Sequence, residues 1–144
     1  MKTAYEKMQE RQRKEFEELP IAYAFNDQQL KEALEKLGAN DISECCTVFG
    51  HGDVVKKVDA SKVKAATIRH FEELSDAMKD KKFAYEAFLY EMDNHDYAIN
   101  WDGDADVLSC FGMNEKDLEK YDLVEVYVRA RNAHFKHARE WDMI

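Results

Sequence analysis

The sequence predicts an α+β fold: a mainly helical single domain with a small antiparallel sheet that includes a hairpin near residues 42–58. Three observations lead there. Apolar residues recur three and four positions apart through several long stretches, the spacing of one helix face. Short runs of β-branched and aromatic residues fall between them, bounded by glycine. And 144 residues, 45% of them hydrophobic, suit one domain that buries about two-thirds of its unfolded surface.

Residues 3–18 are dense in Glu, Lys, Arg and Gln, strong helix formers, with apolar residues only at Ala4, Tyr5, Met8 and Phe16. An exposed N-terminal helix over residues 1–18 is expected, ending before Pro20 and offering a surface for a homo-oligomer; residues 19–144 form the α+β domain. Ile21-Ala-Tyr-Ala-Phe25 alternates aromatics and suits a short strand. Asn26 or Asp27 then caps a helix with Leu30, Ala33, Leu34 and Leu37 on one face, which Gly38 ends. Ile42 to Phe49, the loop Gly50-His-Gly-Asp53 and Val54 to Val58 read as a hairpin. Asp59 or Ser61 starts a second helix whose buried stripe is Val63, Thr67, Phe71, Leu74 and Met78. Lys79-Asp-Lys-Lys82 separates it from Phe83–Met92, apolar or aromatic at eight of ten positions, a central enclosed helix rather than a buried strand. After Tyr97 the chain extends briefly through Ala98 and Ile99. Asp104 or Asp106 opens a short helix ended by Gly112, and Asn114 caps a final helix that breaks near Asp122 and runs to about Trp141.

Charge is unevenly placed. Residues 1–82 hold 15 Lys/Arg and 16 Asp/Glu, whereas residues 83–144 hold 6 and 14, so nearly all of the net −9 lies in the C-terminal part. Between Lys82 and Lys116 there is no Lys or Arg, yet eight carboxylates alternate with seven aromatics. Phosphate contact needs clustered cations, so direct nucleic-acid binding is not expected; carboxylates on a rigid face instead suit a basic protein partner. No run approaches the roughly 20 apolar residues of a membrane span, and the first residues lack the apolar core of a signal peptide. A cytoplasmic location without membrane contact is expected. Cys45, Cys46 and Cys110, odd in number and without Cys-x-x-Cys spacing, read as reduced packing thiols.

Four constellations are chemically capable. On a helix over residues 83–95, Ala84, Ala87, Phe88, Glu91 and His95 share a face, so Glu91 and His95 can share a proton or an ion, or simply bond each other and set the helix end. The loop Asn100-Trp-Asp-Gly-Asp-Ala-Asp106 lacks the glycine and the bidentate glutamate of an EF-hand and reads as acids at a helix start, with a looser divalent site on Asp102, Asp104 and Asp106 as the other reading. His134 and His137, near Glu140 and Asp142, lack a further ligand of fixed spacing and read as an exposed face rather than a zinc site. A nucleophilic cysteine with His51 or His95 as base requires a proximity that spacing does not supply. Phosphate-binding and dinucleotide glycine motifs are absent.

Leu19-Pro-Ile-Ala-Tyr-Ala-Phe25, Gln28-Gln-Leu30, Leu37-Gly38, Tyr85-Glu-Ala-Phe88 and Tyr90-Glu-Met-Asp-Asn-His-Asp-Tyr97 resemble a family of small uncharacterised proteins of bacteria, phages and mobile elements over about residues 19–130. That family is expected to have Asn-His-Glu-Tyr where this chain has Asn94-His-Asp-Tyr97. The resemblance implies an intracellular accessory protein and supplies no catalytic residues.

The expected function is a non-catalytic binding or regulatory accessory protein with an acidic surface, acting on a host protein. Its binding residues are Glu91, Asn94, His95, Asp96, Tyr97, Asp102, Asp104 and Asp106, with no cofactor and no assigned catalytic or metal residue. The alternative is a small metal-dependent or acid-base enzyme built on Glu91, His95 and Asp96.

Overall fold

Short polar side chains decide where several helices begin, and left-handed residues decide where they end. The computed structural model describes residues 1–144. In chain order the elements are α1 (Ala4–Glu17), β1 (Ile21–Tyr23), α2 (Asp27–Leu37), β2 (Cys45–Cys46), β3 (Asp53–Lys56), α3 (Ala60–Ala77), α4 (Lys81–Asn94), α5 (Gly103–Ser109), α6 (Glu115–Lys120) and α7 (Val124–Glu140), with 3-10 turns at Ile42–Glu44, Lys57–Asp59 and Tyr97–Ile99. The fold is α+β and mainly helical, as the sequence predicts, with one three-stranded antiparallel sheet of order β1-β3-β2. Asn26, Asp80 and Asn114 each accept backbone N–H groups from the first turn of α2, α4 and α6.

The chain divides into two compact units, Glu10–Phe71 and Met1–Gln9 with Glu72–Ile144. The first is built around the sheet. Ile21 pairs with Val55 and Cys45 with Lys56, which turns Val55 into a core that includes Ile21 and Val63. The opposite face carries Ala22, Cys45 and Val54 against Ala33 of α2.

The hairpin is present but its strands are shorter than Ile42–Phe49 suggests. Asp41 and Glu44 close a capping box that winds residues 42–44 into a turn. Beyond Cys46, the Val48 and Phe49 N–H groups bond the Asp53 carboxylate instead of a neighbouring strand. The expected stripe of α3 holds in part: Val63 and, just past the helix, Met78 are buried as expected and Ala66 joins them, while Phe71 is half exposed. Ala66 is invisible to a search for large apolar residues, and Phe71 lies one position off the face they define.

In the second unit α4 packs chiefly on α7. Ala84, Ala87, Phe88 and Met92 are fully enclosed, confirming the central helix. The small Ala84 and Ala87 allow close approach, and Phe88 stands edge-on to Phe111 and Tyr127 with ring centroids 5.2 and 5.1 Å away. Tyr5 of the expected exposed helix is 2% exposed and sits 5.7–5.9 Å from the rings of Phe83, Tyr90 and Phe111. The extension expected after Tyr97 is a 3-10 turn, because Asp96 adopts a left-handed conformation (φ 50°) and reverses the chain at the end of α4. No helix is long and apolar enough to cross a membrane.

Candidate functional site

The last turn of α4 places Glu91 on the buried face and His95 one turn on, at its edge. Their side chains meet, His95 Nε2 lying 3.2 Å from Glu91 Oε2. The burial differs sharply between them: the Glu91 side chain is 5% exposed and that of His95 31%. A third group arrives from just past α5, where the Cys110 thiol donates to Glu91 Oε2 at 3.2 Å and lies 3.4 Å from His95 Nε2.

The other Glu91 oxygen is held from α1. Tyr5 hydroxyl donates to Oε1 at 3.0 Å, and Gln9 Nε2 donates to the Tyr5 oxygen at 2.7 Å and to Oε1 at 3.4 Å. The carboxylate is therefore oriented, with one oxygen fixed by the phenol and the other turned to the imidazole and the thiol. Burial, reinforced by the Glu91 charge and hydrogen bond, raises the Tyr5 hydroxyl far above its ordinary value, so it remains a donor. Burial first, then the bond and charge of Glu91, push the Cys110 thiol up to about 12. At neutral pH it is a protonated thiol, which argues against a free nucleophile with His95 as base. Carboxylate, imidazole and thiol have their donor atoms within 4.8 Å of one another, a grouping able to hold a metal ion.

Around this cluster the acidic segment is pinned from several sides. Tyr97 and Tyr127 hydroxyls both donate to Asp104 Oδ1, at 2.7 and 2.6 Å. Burial and that carboxylate raise both phenols, which therefore stay protonated as donors. The Ala98 N–H donates to His134 Nε2 at 2.9 Å; a nitrogen that accepts carries no proton, so Nδ1 bears it and donates to Asp93 Oδ1 at 2.7 Å. His137 Nδ1 lies 3.0 Å from the other Asp93 oxygen. Asn100 Nδ2 bridges the His95 carbonyl and Asp106 Oδ2 at 3.0 and 2.9 Å. Gly103 is needed here because a β-carbon would run into the Tyr97 ring.

Of the residues singled out from sequence, Glu91 and His95 are adjacent in space, and the third group beside them is Cys110 rather than Asp96. Asn94, Asp96, Asp102 and Asp106 are exposed, whereas Tyr97 and Asp104 are partly enclosed and bonded to each other. Asp102 and the acids after it do stand at a helix start, flanking and entering the first turn of α5. His134 is not on an exposed face but fully buried, with both ring nitrogens engaged. Tyr5 and Gln9 were not readable as site residues, since their shared partner Glu91 lies 86 and 82 positions away. Asp93, one of the eight carboxylates of the tract between Lys82 and Lys116, is not an exposed surface acid but is partly enclosed and bonded to His134 and His137.

The protein is thus an α+β molecule with a carboxylate–imidazole–thiol cluster bordered by a braced acidic loop. It belongs to a family of unknown function, DUF7659, matched over residues 4–133. The match takes in all of α1, which the sequence resemblance leaves outside. No curated protein and no solved structure matches the chain.

Proposed function

We propose that this protein is a non-catalytic accessory protein that binds another protein through the loop between α4 and α5. The observation that carries the reading is Trp101, 99% exposed, with Ile99 at 61% beside it in sequence and Asn94, Asp96, Asp102 and Asp106 exposed around them. Tryptophan is one of the three residue types enriched at the hot spots that dominate protein interfaces. The bonds from Tyr97 and Tyr127 to Asp104, from Ala98 to His134 and from Asn100 to the His95 carbonyl brace the segment on both sides of it. A braced loop loses less conformational entropy on binding than a free one. The partner this chemistry fits has an apolar pocket for Trp101 rimmed by Lys and Arg, since the tract between Lys82 and Lys116 carries eight carboxylates and no Lys or Arg. The Asn-His-Asp-Tyr resemblance sharpens the reading to a phage or mobile-element protein acting on a host protein in the cytoplasm.

Capture from the native host with the intact chain and with Trp101→Ala/Asp102→Asn tests this. A specific partner recovered with the parent should be lost with the variant while the circular dichroism is unchanged. Equal recovery with both would reject this loop as the binding surface. Asp93 and Asp104 are unsuitable for the test because their carboxylates brace the fold.

A further inference from the structure

We propose that Glu91 Oε2, His95 Nε2 and Cys110 Sγ form a binding site for one zinc-class divalent ion with an open fourth position. The donor triangle has sides of 3.2, 3.2 and 3.4 Å. Tetrahedral zinc, about 2.3 Å from sulfur and about 2.0–2.1 Å from nitrogen and oxygen, separates its ligands by about 3.3–3.6 Å. The three atoms are already spaced as one face of such a tetrahedron, to within a few tenths of an ångström. Hydrogen bonding brings pairs of groups together in many proteins, but here one carboxylate oxygen is approached by both a thiol and an imidazole that also approach each other.

The donor types select the ion. One carboxylate oxygen with a nitrogen and a sulfur is wrong for calcium or magnesium, which take oxygen sets, and right for zinc and its cobalt substitute. The outer groups on the carboxylate fit as well: Tyr5 and Gln9 hold Glu91 Oε1, which leaves Oε2 directed at the cluster. His95 and Cys110 are partly exposed, so solvent reaches the cluster and water can complete the coordination. On binding, the Sγ–metal bond forms as the Cys110 proton passes to solvent, and the protein–ion charge balance changes by that proton. Three protein ligands leave a fourth coordination position that water or an added ligand can take.

The inference does not depend on the partner surface proposed above. Its test uses the full chain stripped with chelator and titrated with Zn²⁺ in a calorimeter and with Co²⁺ in an absorption cell. One equivalent should bind, with thiolate-to-cobalt charge-transfer absorption in the cobalt form. Cys110→Ser should abolish that absorption, His95→Ala should remove stoichiometric binding, and Tyr5→Phe should weaken binding by about tenfold. Cys45→Ser/Cys46→Ser and His137→Ala should leave all of it unchanged. Because His95 and Cys110 lie at the edge of the core, their variants are expected to keep the parent circular dichroism; if one does not, cobalt absorption of the folded parent compared with Cys45→Ser/Cys46→Ser still decides whether Cys110 is the sulfur donor. Absence of one-equivalent binding, or binding that survives both His95→Ala and Cys110→Ser, overturns the proposal.

Discussion

Asp53 is 4% exposed and ties the hairpin loop together: it accepts from the Thr47 hydroxyl at 2.8 Å and from the Val48, Phe49 and His51 N–H groups at 2.7, 3.1 and 3.2 Å. Burial acts against its charge, but these bonds outweigh it and hold the carboxyl well below the usual carboxylate range. A folded value below the unfolded one means stability that is complete above about pH 5 and is lost as pH falls past about 4, where the unfolded chain takes up its proton first. Asp53→Asn keeps one carbonyl oxygen and leaves at least two donors unmet, for a loss of about 2–4 kcal/mol at pH 7. Urea unfolding at pH 7 and pH 3 should show the variant losing less stability over that interval than the parent. An equal loss in both would mean that Asp53 is not the group responsible.

Helix ends show the next scale. After α2 and after Phe111 the chain turns on Gly38 (φ 71°) and Gly112 (φ 63°), with the following N–H groups reaching back to Leu34 and Leu108. After α6 and α7 the same bonding pattern is made with Asp122 (φ 55°) and Asp142 (φ 56°), residues with a β-carbon in a left-handed conformation. The only ion pair seen at Asp122, with Lys81 at 3.1 Å, is well exposed and adds little. Asp122→Gly should therefore raise stability by up to about 1 kcal/mol and the Tm by about 2–4 °C in a thermal melt. A lowered Tm would show that the aspartate contributes something the turn itself does not require. These ends also explain the mixed legibility of the elements. Glycine stops and Asn or Asp starts are visible in sequence, but an aspartate that stops a helix looks like one that starts the next.

For the molecule as a whole the dominant quantity is the asymmetric charge, with residues 83–144 carrying 14 acids against 6 bases. If a basic partner meets the Trp101 loop, association is steered by that field and is slowed by salt, since the Debye length shrinks from about 10 Å at 0.1 M to about 3 Å at 1 M. The association rate measured by stopped flow with the captured partner should fall by about tenfold or more over that range, with the dissociation rate changing much less. A salt-independent association rate would leave Trp101 without electrostatic help.

Sequence alone determined the fold class, the hairpin, the central helix and the lysine- and arginine-free acidic tract, because helical period, caps, glycine turns and charge counts are local properties of the chain. It also brought Glu91 and His95 together, since four residues on a helix is a local distance. Tertiary structure alone decided that Cys110 joins them, that Tyr5 and Gln9 hold the carboxylate from the other side, and that His134 is buried on Asp93. Those contacts join residues 19 to 86 positions apart, and no periodicity records which distant side chain packing will deliver to a buried oxygen.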